Sequence, residues 1–330
     1  MVGETQRITI ASVGAGRMGR GIAHAFAYAG HPVRLLDAKP RPAADFAKLR
    51  DAALMEIRDS LQALASSGAF DAAAIPAILA RVAIYPAEQA NEALADATVI
   101  FEGVPEREDA KREALQLIDA HAAPDATVAS TTSTFLSTML AGMSARPERF
   151  LNAHWLNPAY LVPLVEVSPH AATKPEITSN LVALLESIGK VPVVCKASPG
   201  YIVPRIQALA MNEAARLVAE GVASAEDVDK AILYGFGVRF SVLGLVEFID
   251  WGGGDILYYA SRYLAGATGE DRFKAPQAVE DNMAAGRIGM KTGQGFYDWS
   301  SRDVDEHRRK RLAEFAALLK HLGQIRPPVV

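Results

Sequence analysis

The segment Gly14-Ala15-Gly16-Arg17-Met18-Gly19 constrains this chain more than any other feature. It follows the apolar run Ile8 to Val13 and opens a helical pattern, and Asp37 closes the next apolar run. In a strand-turn-helix context each glycine has a distinct task. Gly14 permits the tight turn, Gly16 lets backbone approach a pyrophosphate, and Gly19 allows helix and strand to pack closely, while the helix N-terminus stabilises phosphate charge. Met18 falls within the same contact. Asp37 would accept hydrogen bonds from adenosine ribose hydroxyls and repel a 2'-phosphate. That favours NAD over NADP, although Lys39 and Arg41 nearby temper the exclusion. A purely structural glycine turn would not require a following helix and an acidic residue at the end of the next strand.

Short apolar runs alternate with helical patterns through the first two hundred residues or so. Ile8 to Val13, Val33 to Asp37, Thr98 to Glu102, Thr127 to Ser130, Phe150 to Ala153 and Val191 to Cys195 read as strands. This rhythm predicts an α/β fold, a Rossmann-type doubly wound and mostly parallel sheet with crossover helices. A long helical stretch of about 43–80, interrupted at Ser66-Ser67-Gly68, reads as an inserted helical hairpin. After Ser198-Pro199-Gly200 the pattern turns to amphipathic helices, such as Ala208 to Val218 with Gly221 as a C-cap. A length of 330 residues fits two domains. The expected division is a dinucleotide-binding domain at 1–197 and an all-helical domain at 198–330 that shapes the substrate cleft and carries most of a homodimer interface.

Half of the residues are apolar and 22% charged, with a net charge of -4. That balance supports a sizeable core and lacks the basic field that nucleic-acid binding requires. Cys195 is the sole cysteine, so neither an intrachain disulfide nor a structural zinc site built on cysteines can form, and no metal site is expected. A reducing, cytoplasmic location fits. The N-terminal stretch reads as leading into a buried strand and not as a signal peptide. No run approaches the length of a membrane span, since Pro204, Arg205 and Gln207 break the apolar run Ile202 to Met211. The charged run Arg302 to Arg311 reads as a solvated helix face.

Chemistry becomes legible at His154-Trp155-Leu156-Asn157-Pro158, followed by Glu166. Oxidising an alcohol needs a base for the hydroxyl proton, and imidazole titrates near neutral pH. A carboxylate on the second ring nitrogen would fix the tautomer and stabilise the imidazolium. Spacing alone leaves a satisfied core histidine as open as a catalytic one.

The chain resembles the 3-hydroxyacyl-CoA dehydrogenase superfamily over nearly its whole length. The motifs are GAGRMGRGIA from Gly14, FEGVPEREDAKR from Phe101, ASTTST from Ala129, HWLNP from His154, LVEV from Leu164, PGYIVPR from Pro199 and GRIGMKTGQGFYDW from Gly286. The resemblance implies that His154 is the base, that Glu166 orients it, and that Ser133 contacts substrate and cofactor. It places Glu106, Lys111, Asn157 and Lys291 at the nicotinamide half, and Trp155 beside the substrate. Each has a plainer reading as well. Ser133 could cap a turn, Glu106 and Lys111 could be a solvated helix pair, and Lys291 could simply be exposed.

Two departures bear on the substrate. Pro204 stands where the family usually has an asparagine contacting the substrate, and its ring cannot donate a hydrogen bond. Ser67 stands where a phosphate-binding lysine often holds CoA. NPAYLVPLVEVSPH and GFGVRFSVLGLVEF look closest to the gulonate 3-dehydrogenase, lambda-crystallin and carnitine dehydrogenase branch, whose substrates are small and free. Arg239 could pair with a substrate carboxylate there or form a plain salt bridge. Trp251-Gly252-Gly253-Gly254-Asp255 with Tyr258 and Tyr259 could wall a pocket or be helix core. The motif from Gly286 instead looks like short-chain 3-hydroxybutyryl-CoA dehydrogenases. The implied activity is NAD-dependent oxidation of the 3-hydroxyl of a short L-3-hydroxyacyl substrate, a free 3-hydroxy acid slightly ahead of a CoA thioester. The alternative is a non-catalytic dinucleotide-binding protein of lambda-crystallin type.

Overall fold

A computed structural model describes residues 7–329. The part of the N-terminal reading that falls on residues 1–6 lies outside the described residues. The chain divides into two compact units, one ending at Ala210 and the other beginning at Met211.

The first unit holds one eight-stranded sheet: β1 (Ile10–Val13), β2 (Val33–Leu36), β3 (Val82–Tyr85), β4 (Val99–Glu102), β5 (Thr127–Ser130), β6 (Phe150–Trp155), β7 (Leu164–Ser168) and β8 (Val191–Val194). Their order is β3-β2-β1-β4-β5-β6-β7-β8, and every pairing is parallel except the antiparallel β6 and β7. β3 and β7 are strands beyond those predicted. Both are short: β3, Val-Ala-Ile-Tyr, directly follows the helical stretch and buries only Val82, and Glu166 interrupts the apolar run of β7. Pro192 is tolerated because β8 is an edge.

The helices of this unit are α1 (Arg17–Tyr28), α2 (Ala43–Ser66), α3 (Ile75–Leu79), α4 (Ala90–Leu94), α5 (Glu108–His121), α6 (Ser137–Ala141), α7 (Pro175–Ser187) and the start of α8 (Val203–Ala219). Side chains alternate across the sheet, so one face buries Ile10 and Phe101 against Ile22, Phe26 and Leu181. The other buries Ala11 and Ile100 against Leu115 and Ile118. The predicted hairpin is α2 and α3. Ala53, Ile57 and Leu61, four residues apart, form the buried stripe of α2. Chain order reverses between β1 and β4, which opens a crevice beyond their carboxyl ends.

The second unit is helical: the rest of α8, α9 (Ala225–Ala231), a π-helical turn (Ile232–Gly237), α10 (Val238–Phe240), α11 (Leu245–Gly252), α12 (Gly254–Thr268), α13 (Gln277–Ala284) and α14 (Val304–His321). Buried carboxylates organise it. Asp250 accepts from the backbone N–H of Phe296 (3.0 Å) and Tyr297 (2.8 Å) and from Trp299 Nε1 (2.9 Å). Glu247 bonds His307 (2.7 Å) and both sides of the Arg311 guanidinium (3.0 and 3.1 Å). Among the described residues no single helix is long and apolar enough to cross a membrane.

Candidate active site

The crevice is a cavity of about 1110 Å³ within the first unit, large enough for a dinucleotide and a small molecule together. Gly14, Gly16, Met18 and Asp37 line it, and so do Ser133, His154 and Asn157. Gly14 has φ 111°, and a Cβ there would sit 2.7 Å from the Gly103 carbonyl oxygen, so only glycine fits. No atom lies within 4 Å of where a Gly16 Cβ would be. Gly16 also caps α1 without any side-chain hydrogen bond, which leaves its first-turn amides for an anionic ligand. The residues present therefore fit a dinucleotide. Asp37 already has company: Arg41 Nε donates to its carboxylate at 2.6 Å.

His154 and Glu166 are register partners across β6 and β7, which puts both side chains on one face of the sheet. His154 Nδ1 lies 2.8 Å from Glu166 Oε2. A carboxylate only accepts, so Nδ1 carries the hydrogen and Nε2 keeps a lone pair for a substrate proton. The other carboxylate oxygen accepts the N–H groups of Ile202 (2.9 Å) and Val203 (2.8 Å). Glu166 is fully buried, so these three hydrogen bonds hold it in a single orientation.

Glu106 ties Ser133 into the crevice wall. Its carboxylate accepts the Ser133 N–H (2.6 Å) and hydroxyl (3.0 Å) and the Thr132 hydroxyl (2.7 Å). Burial works to raise the Glu106 pKa, but the Ser133 amide, the Lys111 charge and the two hydroxyls together outweigh it and hold the group below its ordinary value. Lys111 is not the solvated helix residue of the plainer reading. It is 1% exposed, donates to Glu102 (3.0 Å) and to the Val104 carbonyl (3.2 Å), and lies 3.8 Å from Glu106. Glu102, on the other oxygen, accepts the Ser130 hydroxyl at 2.6 Å, so both carboxylate oxygens of this buried ion pair are hydrogen-bonded.

Trp155 is a wall and not a polar handle: it is 1% exposed, packs on Phe26 and Phe101, and its Nε1 has no partner. Pro204 lines the crevice as the second residue of α8, where the missing N–H costs no helical bond. Two predicted residues lie in the second unit. Arg239 there stands over the Phe248 ring, 5.0 Å from its centroid, and Lys291 ion-pairs with Asp255 at 2.7 Å.

Sequence reasoning passed over Asn152 and Tyr201. Asn152 is two residues before His154 and so shares its strand face, a signal that period-two reading could have used. Tyr201 was visible only as a letter within PGYIVPR. Its ring stacks on the His154 imidazole, with centroids 5.0 Å apart and planes at 3°.

Models of two family domains match the chain: "3-hydroxyacyl-CoA dehydrogenase, NAD binding domain" over residues 9–198, and "3-hydroxyacyl-CoA dehydrogenase, C-terminal domain" over residues 200–299. The chain belongs to the 3-hydroxyacyl-CoA dehydrogenase family. It is accordingly an NAD-dependent oxidoreductase acting on a CH–OH group. A probable 3-hydroxybutyryl-CoA dehydrogenase from Bacillus subtilis is 31% identical over 299 residues, 91% of this chain and 99% of that protein. A 5-formyl-3-hydroxy-2-methylpyridine 4-carboxylate 5-dehydrogenase from Mesorhizobium japonicum is 29% identical over 315 residues, 95% of this chain and 97% of that protein. The crystal structure of a 3-hydroxyacyl-CoA dehydrogenase from Archaeoglobus fulgidus superposes with a TM-score of 0.74 at 29% identity, covering 97% of this chain and all of that one.

Proposed function

We propose that the chain oxidises the 3-hydroxyl of a short L-3-hydroxyacyl substrate to the 3-oxo product, with a free 3-hydroxy acid favoured over a 3-hydroxybutyryl-CoA-type thioester. The observation that carries the reading is the His154–Glu166 pair opening onto a crevice built for a dinucleotide. NAD, when bound, accepts the hydride that leaves carbon 3. His154 Nε2 takes the hydroxyl proton, and the Glu166 carboxylate stabilises the imidazolium that forms. Ser133, held by Glu106, positions the substrate. Gly14, Gly16, Gly19 and Asp37 hold the cofactor, with Met18 and Asn157 along its path.

The free-acid preference rests on residues of this chain and on one relative. The Ser67 hydroxyl, at the end of α2, is turned back on the Leu64 carbonyl at 2.7 Å and offers no charge to a CoA phosphate. Pro204 supplies no donor to a thioester carbonyl. The Mesorhizobium relative, similar over nearly the full length, is named for a small carboxylate. The Bacillus relative is named for a CoA thioester and supports the second reading. A single cysteine leaves the fold independent of an oxidising compartment, which supports the cytoplasm as its location. A homodimer formed through the helical unit completes the proposal.

The test is a substrate panel with NAD, using short 3-hydroxy acids and their CoA thioesters, on the wild type and on His154→Gln. The free acids should turn over with the higher kcat/KM, and the variant should lose at least about three orders of magnitude in kcat with NAD affinity unchanged. Turnover of thioesters alone would remove the free-acid preference. Near-normal turnover by His154→Gln would remove the base.

A further inference from the structure

We infer that Tyr201 is a positioning residue, its ring fixing the plane of the His154 imidazole and thereby the direction in which Nε2 meets the substrate hydroxyl. The inference rests on the proposed role of His154 as base. A hydrogen bond at Nδ1 alone leaves the imidazole free to rock about the axis through that bond, because the bond tolerates a broad range of angles. A flat surface against the ring face removes that freedom. Tyr201 provides it, 5.0 Å between centroids and within 3° of parallel, the offset-stacked arrangement that aromatic rings prefer.

The tyrosine is itself held from several sides. Its hydroxyl donates to the Thr132 carbonyl at 2.9 Å and accepts Asn152 Nδ2 at 2.9 Å. Thr132 directly precedes Ser133, and Asn152 is one strand pleat before His154, so the phenol connects the substrate-side loop to the strand that carries the base. Burial pushes the phenol well above its ordinary pKa, against the pull of the Asn152 hydrogen bond. The hydroxyl thus stays a donor at every pH of interest. The next two amides, Ile202 and Val203, are those that grip Glu166. One turn therefore orients the imidazole twice, through its face and through its carboxylate partner.

The backbone supports the same conclusion. Tyr201 has φ 45°, and it is the one non-glycine residue with positive φ among the described residues. That conformation is strained for a residue bearing a Cβ, and glycine would adopt it without strain. A loop residue with no duty beyond the turn would be better served by glycine. The strain is sustained because the ring has to reach His154, and Tyr201 remains 7% exposed in doing so.

Three variants test this: Tyr201→Phe, Tyr201→Leu and Tyr201→Gly, with His154→Gln as reference. Phe keeps the stacked face and should hold kcat to within about five-fold of wild type. Leu removes the face and should lower kcat by about 100-fold, the scale expected when a reacting group is misplaced by about 1 Å. The KM for NAD should not move, because the dinucleotide end of the crevice is untouched. If Leu does not fold, Gly replaces it, since the backbone there already favours glycine, and its kcat should fall as far. The inference is overturned if a folded Leu or Gly variant keeps kcat within two- or three-fold of wild type, or if Phe falls as far as Leu. Should His154→Gln stay active, the base assignment fails instead. An inactive His154→Gln beside a fully active Leu variant sinks the tyrosine alone.

Discussion

At the scale of single residues, the Asp37–Arg41 pair should decide which dinucleotide enters, if Asp37 holds the adenosine ribose as proposed. The carboxylate is 4% exposed at the end of β2, with one oxygen taken by Arg41 Nε and the Lys39 N–H 3.4 Å from the other. Held this way, Arg41 is neutralised as an anchor for a 2'-phosphate, so acid and base discriminate as one unit. Removing the acid should free the base. Asp37→Ser is expected to lower kcat/KM for NAD and raise it for NADP. The ratio should move by about 30-fold, equivalent to roughly 2 kcal/mol for hydrogen bonds to a charged group. Steady-state kinetics with both cofactors measures the ratio, and an unchanged preference would show that Arg41 plays no such part.

At the scale of elements, α1 carries the dinucleotide turn at one end and a buried titratable group near the other. His24 is 1% exposed, stacks on Tyr160 and bonds the Ser60 hydroxyl on α2 at 2.6 Å. Burial, aided by the Lys190 charge, lowers its pKa from 6.5 to about 4. Between those two values the unfolded chain binds the proton and the folded chain does not, so stability contributed at neutral pH drains away on acidification. The full loss is roughly 3 kcal/mol by linkage. Glu106, whose pKa is lowered as a carboxylate's, acts in a separate and more acidic window: its contribution is lost only as pH falls through that lowered value. Urea unfolding of wild type and His24→Phe at pH 7 and pH 4.5 separates the two. The variant should start less stable, having lost the Ser60 bond, yet lose less on acidification. Equal slopes would refute the histidine's role.

The whole molecule shows an imbalance between its two units. The first has a continuous core on each face of its sheet, whereas from Met211 onward only Val228, Leu243, Val279, Met290 and Trp299 are buried among the described apolar residues. Met211, Val222, Leu233, Ile256, Tyr259 and Tyr263 are each more than 60% exposed. A helical unit that leaves so much apolar surface in water is destabilised, and a second copy covering it would bury the area of at least about 1,000 Å² that a specific interface needs. Sedimentation should therefore give twice the chain mass. Met211→Glu combined with Leu233→Glu should yield folded single chains, since exposed substitutions cost a monomer about 0.5 kcal/mol or less each. A wild type that sediments as one chain at micromolar concentration would exclude the pairing.

What the sequence determined by itself is what depends on neighbouring residues: the Gly14 to Gly19 turn, Asp37 at the end of the next strand, the α2–α3 hairpin and the mostly parallel sheet. Such features follow from local backbone rules and apolar periodicity, which act over a few residues. His154 and Glu166 were recognisable as types, but their partnership exists because β6 and β7 run antiparallel in one register. Tertiary structure alone decided that Lys111 is sealed against Glu102, that Glu106 grips Ser133, that Arg41 answers Asp37 and that Tyr201 lies flat on the imidazole. Half of these contacts join residues remote in sequence, and even Arg41, four positions from Asp37, needs a loop conformation that no periodicity encodes. Directional hydrogen bonds and ring stacking depend on side-chain placement to a fraction of an ångström, and that placement is set by packing across the whole sheet.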